Sequence, residues 1–347
     1  MNGTPPHQPD VQTPRFTVVV AIHNAEPFLA DTLDSLQRQT LRNFEVIMVD
    51  DGSTDASAAI ARHYVNTDSR FQLHSTPNRG ISPTRNLAVQ HARAPWIAVC
   101  DADDTWSDTK LERQAAFIDA WQACEPRPLL ALGTAGWHVN ARGQRLTAID
   151  LGVHSPDEYE RQLRERGVMP MINSSVVFRR DAFDALGGYR AEYSPAEDTD
   201  LWTRLARTGV TLNLPEPLTF YRLHARNVST QKFITMMMHV ERVAENTHRG
   251  WRLEPELDAP AFDALLHTQP ARRARLLREL RRELCVNRAR SLWYNGHRAR
   301  GLAYRALAVL ADPAVSLRRL AARARARMSG SVAQGPPEQA RASPSGP

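Results

Sequence analysis

Cysteine is scarce in this chain: Cys100, Cys124 and Cys285 are the only three in 347 residues, far apart and without metal-ligand spacing. That argues against a disulfide framework or a thiolate metal site and points to a reducing compartment. Long apolar runs are missing as well. None approaches the roughly 20 residues of a membrane-spanning helix, and the polar, proline-rich start of the chain lacks the apolar core of a secretory signal. The expected location is cytoplasmic, as a soluble protein. Glycine-rich phosphate loops are absent too. Where a dinucleotide fold would place G-x-G-x-x-G, the first strand runs into Ile22-His23-Asn24-Ala25-Glu26, and no P-loop follows anywhere, which argues against nicotinamide and P-loop ATP chemistry. Lysine is nearly missing, with only Lys110 and Lys232, so the basic residues are almost wholly arginine.

What is present is ordinary for a folded protein, with 42% apolar and 24% charged residues, so disorder throughout is excluded. The length suits about two domains. Charge is segregated. Residues 271–328 hold sixteen arginines against Glu279, Glu283 and Asp312, a local +13, so the overall +6 leaves −7 for the remainder. Genomic base composition can favour arginine and alanine, but it does not explain that segregation. The expected organisation is a disordered N-terminus over 1–14, a body over 15–230, an Arg-rich helical region over 231–328 and a disordered tail over 329–347.

Strand and helix patterns alternate through the first hundred residues. Phe16 to Ile22 and Phe44 to Val49 are short, β-branched runs of the kind that a sheet buries on both faces. Leu29, Leu33 and Leu36 mark a helix after Pro27, and Thr54 reads as the cap of a helix through Ile60 and Tyr64. Phe71 to Leu73 is a weaker strand, Gly80 to Ala92 a helix, and Trp96 to Cys100 another buried strand. Further strands are expected at 129–132 and 176–178, with helices after 108 and over 200–207. Residues 141–170 read as an irregular loop with a short helix. The fold class is α/β, a mostly parallel sheet flanked by helices. His23-Asn24, Asp50-Asp51 and Asp101 to Asp104 all fall at strand ends, where open α/β sheets bind ligands.

Asp101-Ala102-Asp103-Asp104 places three carboxylates within four residues. They repel one another unless cations neutralise them. Asp101 and Asp103 point to the same side of an extended segment, and hard oxygen ligands suit Mg²⁺ or Mn²⁺ bridging to a diphosphate. The alternative is a solvated acidic turn before the next helix. A second cluster, Glu197-Asp198-Thr199-Asp200, is either an acidic helix start favoured by the helix dipole or the source of a carboxylate that accepts a hydroxyl proton.

In their order along the chain these motifs resemble the family 2 glycosyltransferases. The resemblance rests on Val18 to Leu29, Phe44 to Asp55, Asn78-Arg79-Gly80 with Thr84-Arg85-Asn86, and Asp101 to Asp104. It continues through Gly187-Gly188-Tyr189, Glu197-Asp198 with Leu201 to Leu205, and Tyr221-Arg222-Leu223-His224, covering about residues 14–230. It implies the GT-A fold over 15–230 and an inverting transfer of sugar from a nucleotide-diphosphate sugar to a hydroxyl acceptor, a saccharide or a lipid-linked one, in cell-surface polysaccharide or glycolipid synthesis. Carried over residue by residue, it assigns Asp51 to the nucleotide base, with Asn24 and Glu26 in the same pocket. It assigns Arg85 to the diphosphate, Asp101 to the ribose or metal shell, and Asp103 to the metal as direct ligand. Asp104 and His224 join the metal site, Asp198 is the general base and Glu197 stands at the rim of the acceptor site. His23 stands where the family usually carries a tyrosine, which bears on base identity. A nucleotidyltransferase and a non-catalytic nucleotide-sugar binding relative are the competing classes. The first normally carries a basic glycine-rich loop that this chain lacks, and the second could lose Asp103 or Asp198, both of which are present.

In the C-terminal region, Leu276, Leu280 and Leu284 form an apolar stripe among arginines. It fits either a helical appendage packed on the body or a surface that docks on an anionic membrane, peripheral on the cytoplasmic face of the inner membrane. No motif supports nucleic-acid binding.

Overall fold

The structure, a computed structural model, describes residues 13–224, 227–313 and 315. The tail expected over 329–347 and the arginines beyond 316 lie outside the described residues. The first half alternates strand and helix in sequence order: β1 (Phe16–Ile22), α1 (Glu26–Gln37), β2 (Phe44–Asp51), α2 (Ser57–Thr67), β3 (Phe71–Thr76), α3 (Ile81–Gln90) and β4 (Trp96–Val99). Every residue of β2 and β4 is buried, which the continuous apolar runs require. Each Val, Leu or Ile so covered contributes about 1.5–3 kcal/mol relative to exposure. β1 lies between β2 and β4, parallel to both, and β3 pairs parallel with β2. The loops after β1, β2 and β4 therefore open at one edge of the sheet.

The second half is mixed. β5 (Thr105–Trp106), α4 (Lys110–Cys124), β6 (Leu129–Asn140), β7 (Arg145–Ile149), α5 (Pro156–Arg166), β8 (Val177–Arg179), α6 (Arg180–Ala185), α7 (Glu197–Ala206) and β9 (Val210–Leu223) complete the body. Among the described residues the sheet runs β3-β2-β1-β4-β8-β6-β9-β5, with β7 paired to β6. β8 is antiparallel to both neighbours, and β9 runs parallel to β6 along its whole length. This pairing sets up the site. β5 follows directly on Asp101–Asp104 and pairs with the end of β9, Thr105 opposite Phe220, so His224 is delivered beside the acidic loop.

The sheet with its flanking helices is the architecture that the resemblance implies, and the C-terminal helical extension follows as the residue pattern led one to expect. Four local expectations change. α2 starts at Ser57, because Thr54 is held instead by Asn24 across the loop. β6 runs to Asn140 rather than stopping at Leu132; its Gly133-Thr134-Ala135-Gly136 stretch carries no apolar signal, yet β9 pairs along it and β7 joins at Gly136. Residues 141–170 hold the strand β7 and the helix α5, capped by the Ser155 hydroxyl on the Glu158 amide. α7 begins at Glu197, so all three acids of that cluster lie in its first turn.

Among the described residues five helices follow: α8 (Val228–Gln231), α9 (Phe233–Trp251), α10 (Ala259–His267), α11 (Pro270–Tyr294) and α12 (Arg298–Ala311). Leu276 and Leu280 are buried with Phe262 and Leu266 in a second small core, closed by Ile234, Met237 and Met238. Leu276 and Leu280 of the α11 stripe are thus packed within the protein, while Leu284 is only partly buried. On α12, Leu302, Leu307 and Leu310 remain exposed. No helix among the described residues is long and apolar enough to cross a membrane.

Candidate active site

The loops after β1 and β2 are laced together by short polar side chains. The Asn24 carboxamide oxygen accepts from the Thr54 amide at 2.9 Å, and the Asn24 and Ala25 amides donate to the hydroxyls of Ser53 and Ser57 at 3.0 and 2.9 Å. Asn24 takes a left-handed φ of 52°, a conformation that asparagine tolerates better than most residues. The Glu26 carboxylate accepts from the Ala56 amide at 3.1 Å and does not line the cavity described below, whereas Asn24 does.

Asp51 is buried at the end of β2. Its carboxylate accepts from the amides of Arg79 and Gly80 at 2.7 and 2.9 Å and from the Thr76 hydroxyl at 3.2 Å. It therefore fixes the Asn78-Arg79-Gly80 turn while lining the cavity. Gly52, at φ +70°, is needed there, because a Cβ would lie 2.9 Å from the Asn78 amide nitrogen.

Arg85 on α3 lines the cavity, but its guanidinium is held between two carboxylates. Its side chain is only 8% exposed, and its two terminal nitrogens reach Glu197 and Asp101, each at 2.7 Å. Burial disfavours the charge, but the two carboxylates outweigh it and hold the guanidinium firmly protonated. Asp101 is further fixed by Asn173, whose amide donates to both carboxylate oxygens at 2.9 and 3.0 Å, and by its own amide on the Ser174 hydroxyl at 3.1 Å.

Around the acidic loop, Asp103 and Asp104 diverge. The Asp103 carboxylate opens to the cavity and meets His224 Nε2 at 2.8 Å, and the His224 ring stacks on Phe28 with centroids 4.6 Å apart. Asp104 is 1% exposed, accepts from the Arg222 amide at 2.8 Å and leaves its other oxygen buried without a hydrogen-bond partner. Burial first, then the charges of Asp103 and Asp101, push its pKa well up. Asp104 does not reach the cavity wall that Asp103 shares. Arg222 ties this loop to the body through the Asp103 carbonyl at 2.8 Å, Ala141 at 3.1 Å and Asp31 at 3.0 Å. Among the described residues no three His, Cys, Asp or Glu side chains converge on one point to enclose an ion. A Mg²⁺ or Mn²⁺ that shares a diphosphate needs only one or two protein carboxylates. Asp103 supplies one such carboxylate at the cavity, with the His224 imidazole beside it.

At the start of α7, Glu197 is not at a rim. Its side chain is 6% exposed, paired to Arg85, with its second oxygen buried and unpartnered. Asp198 is half-buried against the cavity, accepting from the Thr199 amide at 2.7 Å. Burial and the neighbouring Glu197 charge push its pKa up to about 7, with Arg85 opposing. Asp200, two residues on, is 1% exposed and bridges Arg190 and Arg204.

These side chains surround one cavity of about 700 Å³. His23, Asn24, Asp51, Arg85, Asp101, Asp103, Glu197, Asp198 and His224 all line it, while Glu26 and Asp104 do not. Ile149, Met171, Ile172, Tyr221 and Met236 add apolar lining to it, together with His138. Sequence reasoning missed Asn173 and Ser174, whose only signal is a polar Ile-Asn-Ser-Ser step before a buried strand. It also gave no role to Lys232, which lines the cavity.

Residues 17–187 match the sequence model described as "Glycosyl transferase family 2". EpsE of Bacillus subtilis (strain 168), which carries a provisional glycosyltransferase name, is 30% identical over 210 residues, covering 59% of this chain and 72% of EpsE. TuaG of the same organism, provisionally named as a teichuronic acid biosynthesis glycosyltransferase, is 27% identical over 224 residues, covering 63% of this chain and 83% of its own. Among solved structures, a Pyrobaculum calidifontis mannosyltransferase in complex with GDP-Man and Mn²⁺ superposes with a TM-score of 0.51 at 20% identity, covering 91% of this chain and 81% of that one. At that identity the likeness speaks for the fold.

Proposed function

The chain belongs to glycosyltransferase family 2, and from that premise we propose that its cavity takes a nucleotide-diphosphate sugar and passes the sugar, with inversion, to a hydroxyl acceptor, a saccharide or a lipid-linked one. The observation that carries this reading is Asp198. It is a cavity-facing carboxylate whose pKa of about 7 lets it stay ionised near neutral pH and still take up a proton. In the proposed step the acceptor hydroxyl attacks the anomeric carbon and its proton passes to Asp198. A bond forms from the acceptor oxygen, the bond to the diphosphate oxygen breaks, and the nucleoside diphosphate leaves with the electron pair. One displacement inverts the centre, so an α-linked donor gives a β-linked product. Asp51 and the Asn24 loop shape the nucleoside end, and Arg85 keeps Asp101 and Glu197 in place. Asp103 with His224 would hold Mg²⁺ or Mn²⁺. That ion, when bound, supplies charge to the leaving diphosphate. Met171, Ile172 and Tyr221, which line the same cavity, form the proposed acceptor side.

Incubation with a panel of nucleotide sugars and identification of the products tests this reading. Release of nucleoside diphosphate supports sugar transfer. Release of pyrophosphate or exchange into a nucleoside triphosphate indicates a nucleotidyltransferase, and binding without turnover indicates a non-catalytic relative. Synthesis of cell-surface polysaccharide or glycolipid is the setting we propose. The exposed Leu302, Leu307 and Leu310 on α12, beside Arg298, Arg300 and Arg305, support docking on an anionic membrane. Co-sedimentation with anionic liposomes that weakens with added salt is the expected result. Indifference to such liposomes at low salt would leave α12 as a packed appendage alone.

A further inference from the structure

We propose that Lys232, rather than Arg85, is the cationic side chain that receives the donor diphosphate. This rests on the reading of the cavity as a nucleotide-diphosphate-sugar site. The described residues that line the cavity carry five carboxylates, Asp51, Asp101, Asp103, Glu197 and Asp198, against only two side chains of the Arg or Lys type, Arg85 and Lys232. Arg85 is already committed, with each terminal nitrogen 2.7 Å from a carboxylate and its side chain 8% exposed. A phosphate approaching it would displace one of those carboxylates and meet its charge. Without another cation, a diphosphate would enter a cavity whose fixed charge is negative, which Coulomb repulsion opposes even with one divalent ion present.

Lys232 is free to answer that need. It is exposed at the junction of α8 and α9, and among the described residues no acidic side chain pairs with its ammonium. Val228 on α8, Lys232 at the junction and Met236 on α9 all border the cavity, while the buried Phe233 anchors the start of α9. His224, which meets Asp103, lies only eight residues earlier in the chain. The residue type also fits. In a chain whose other basic side chains are almost all arginine, this position carries one of two lysines, and the other, Lys110, is wholly buried beneath Trp106. A lysine is a compact charge on a flexible stem that can follow a phosphate without the planar fork by which arginine locks onto carboxylates.

Calorimetric titration of the full chain with UDP, GDP, ADP, CDP and dTDP, and with the matching nucleosides, tests the assignment with and without MnCl₂. For the diphosphate that binds, Lys232→Gln is expected to weaken affinity roughly tenfold to hundredfold, the span of a charge-assisted hydrogen bond. Nucleoside binding and the melting temperature should stay unchanged, and Lys232→Arg should keep most of the affinity. If the wild type binds a diphosphate and Lys232→Gln binds it equally well, Lys232 has no such role while the donor reading stands. Equal losses for nucleoside and diphosphate would also overturn the assignment, since the residue would then be shaping the cavity rather than meeting phosphate. If the wild type binds none of the five diphosphates, the donor reading itself fails and the Lys232 role with it.

Discussion

Replacing Arg85 with methionine removes a buried cation and leaves Asp101 and Glu197 facing each other, Glu197 with a side chain only 6% exposed. Breaking a buried ion pair by removing one partner typically costs about 3–5 kcal/mol, because the remaining charge is stranded. In a domain of this size each kcal/mol moves the melting temperature by about 2–4 °C, so a fall of roughly 6–20 °C is expected at neutral pH. The defect should shrink towards pH 5, where the stranded carboxylates can take up protons. It should shrink too in the double variant Arg85→Met/Glu197→Gln, with a coupling of at least about 1 kcal/mol across the cycle. Arg85 is also what opposes the upward push on Asp198, so any residual activity of Arg85→Met should rise with pH along a limb moved above that of the wild type. Thermal unfolding at two pH values, read beside nucleoside diphosphate binding, decides the matter. A melting temperature within about 2 °C of wild type, combined with a large loss of diphosphate affinity, would mean that the guanidinium is free for the donor and that the reasoning is wrong.

Three further outcomes follow from the same geometry. With the Asp198 pKa at about 7, the transfer rate should fall about tenfold per unit below that pH. A raised carboxylate pKa means that the folded chain holds a proton which the unfolded chain has released, so stability should decline from the usual aspartate pKa of 3.8 up to about 7, and Asp198→Asn should abolish that decline in a pH series of melting curves. Asp200→Asn should be a stability variant, losing about 2–4 kcal/mol in urea unfolding, because Arg190 and the largely buried Arg204 would lose their shared counter-ion. Asp103→Ala should keep the fold and abolish the gain in nucleoside diphosphate affinity that Mn²⁺ gives the wild type; an undiminished Mn²⁺ effect would remove Asp103 from the metal site.

The parallel half of the fold was legible because β1, β2 and β4 are buried on both faces and read as unbroken apolar runs. β9 and the second half of β6 were not, since a strand rich in small and polar residues, such as Gly133 to Gly136, announces itself only through its neighbours. The same divide runs through the site. Asp51, Asp101, Asp103, Asp198 and His224 could be named because strand ends and ordered motifs mark them, and they line one cavity. What a sequence does not show is which carboxylate neutralises which arginine. Arg85 and Glu197 are 112 residues apart, and only the folded chain, which brings both to one cavity, makes them a pair. Asp104 sits one position beyond Asp103, but the turn sends it inward to the Arg222 amide. Asn173 and Lys232 belong to no motif that the reading used.

Donor affinity and turnover measured together on Asp198→Asn test the central claim most directly, using the sugar nucleotide that the wild type turns over. The variant keeps the shape of the carboxylate but cannot accept a proton. Its donor Kd should stay within about threefold of wild type while release of nucleoside diphosphate falls roughly 10²–10⁴-fold, the usual span for general-base catalysis. Release at nearly the wild-type rate by a variant that binds donor normally would contradict the role of Asp198, and with it the chemistry assigned to this cavity.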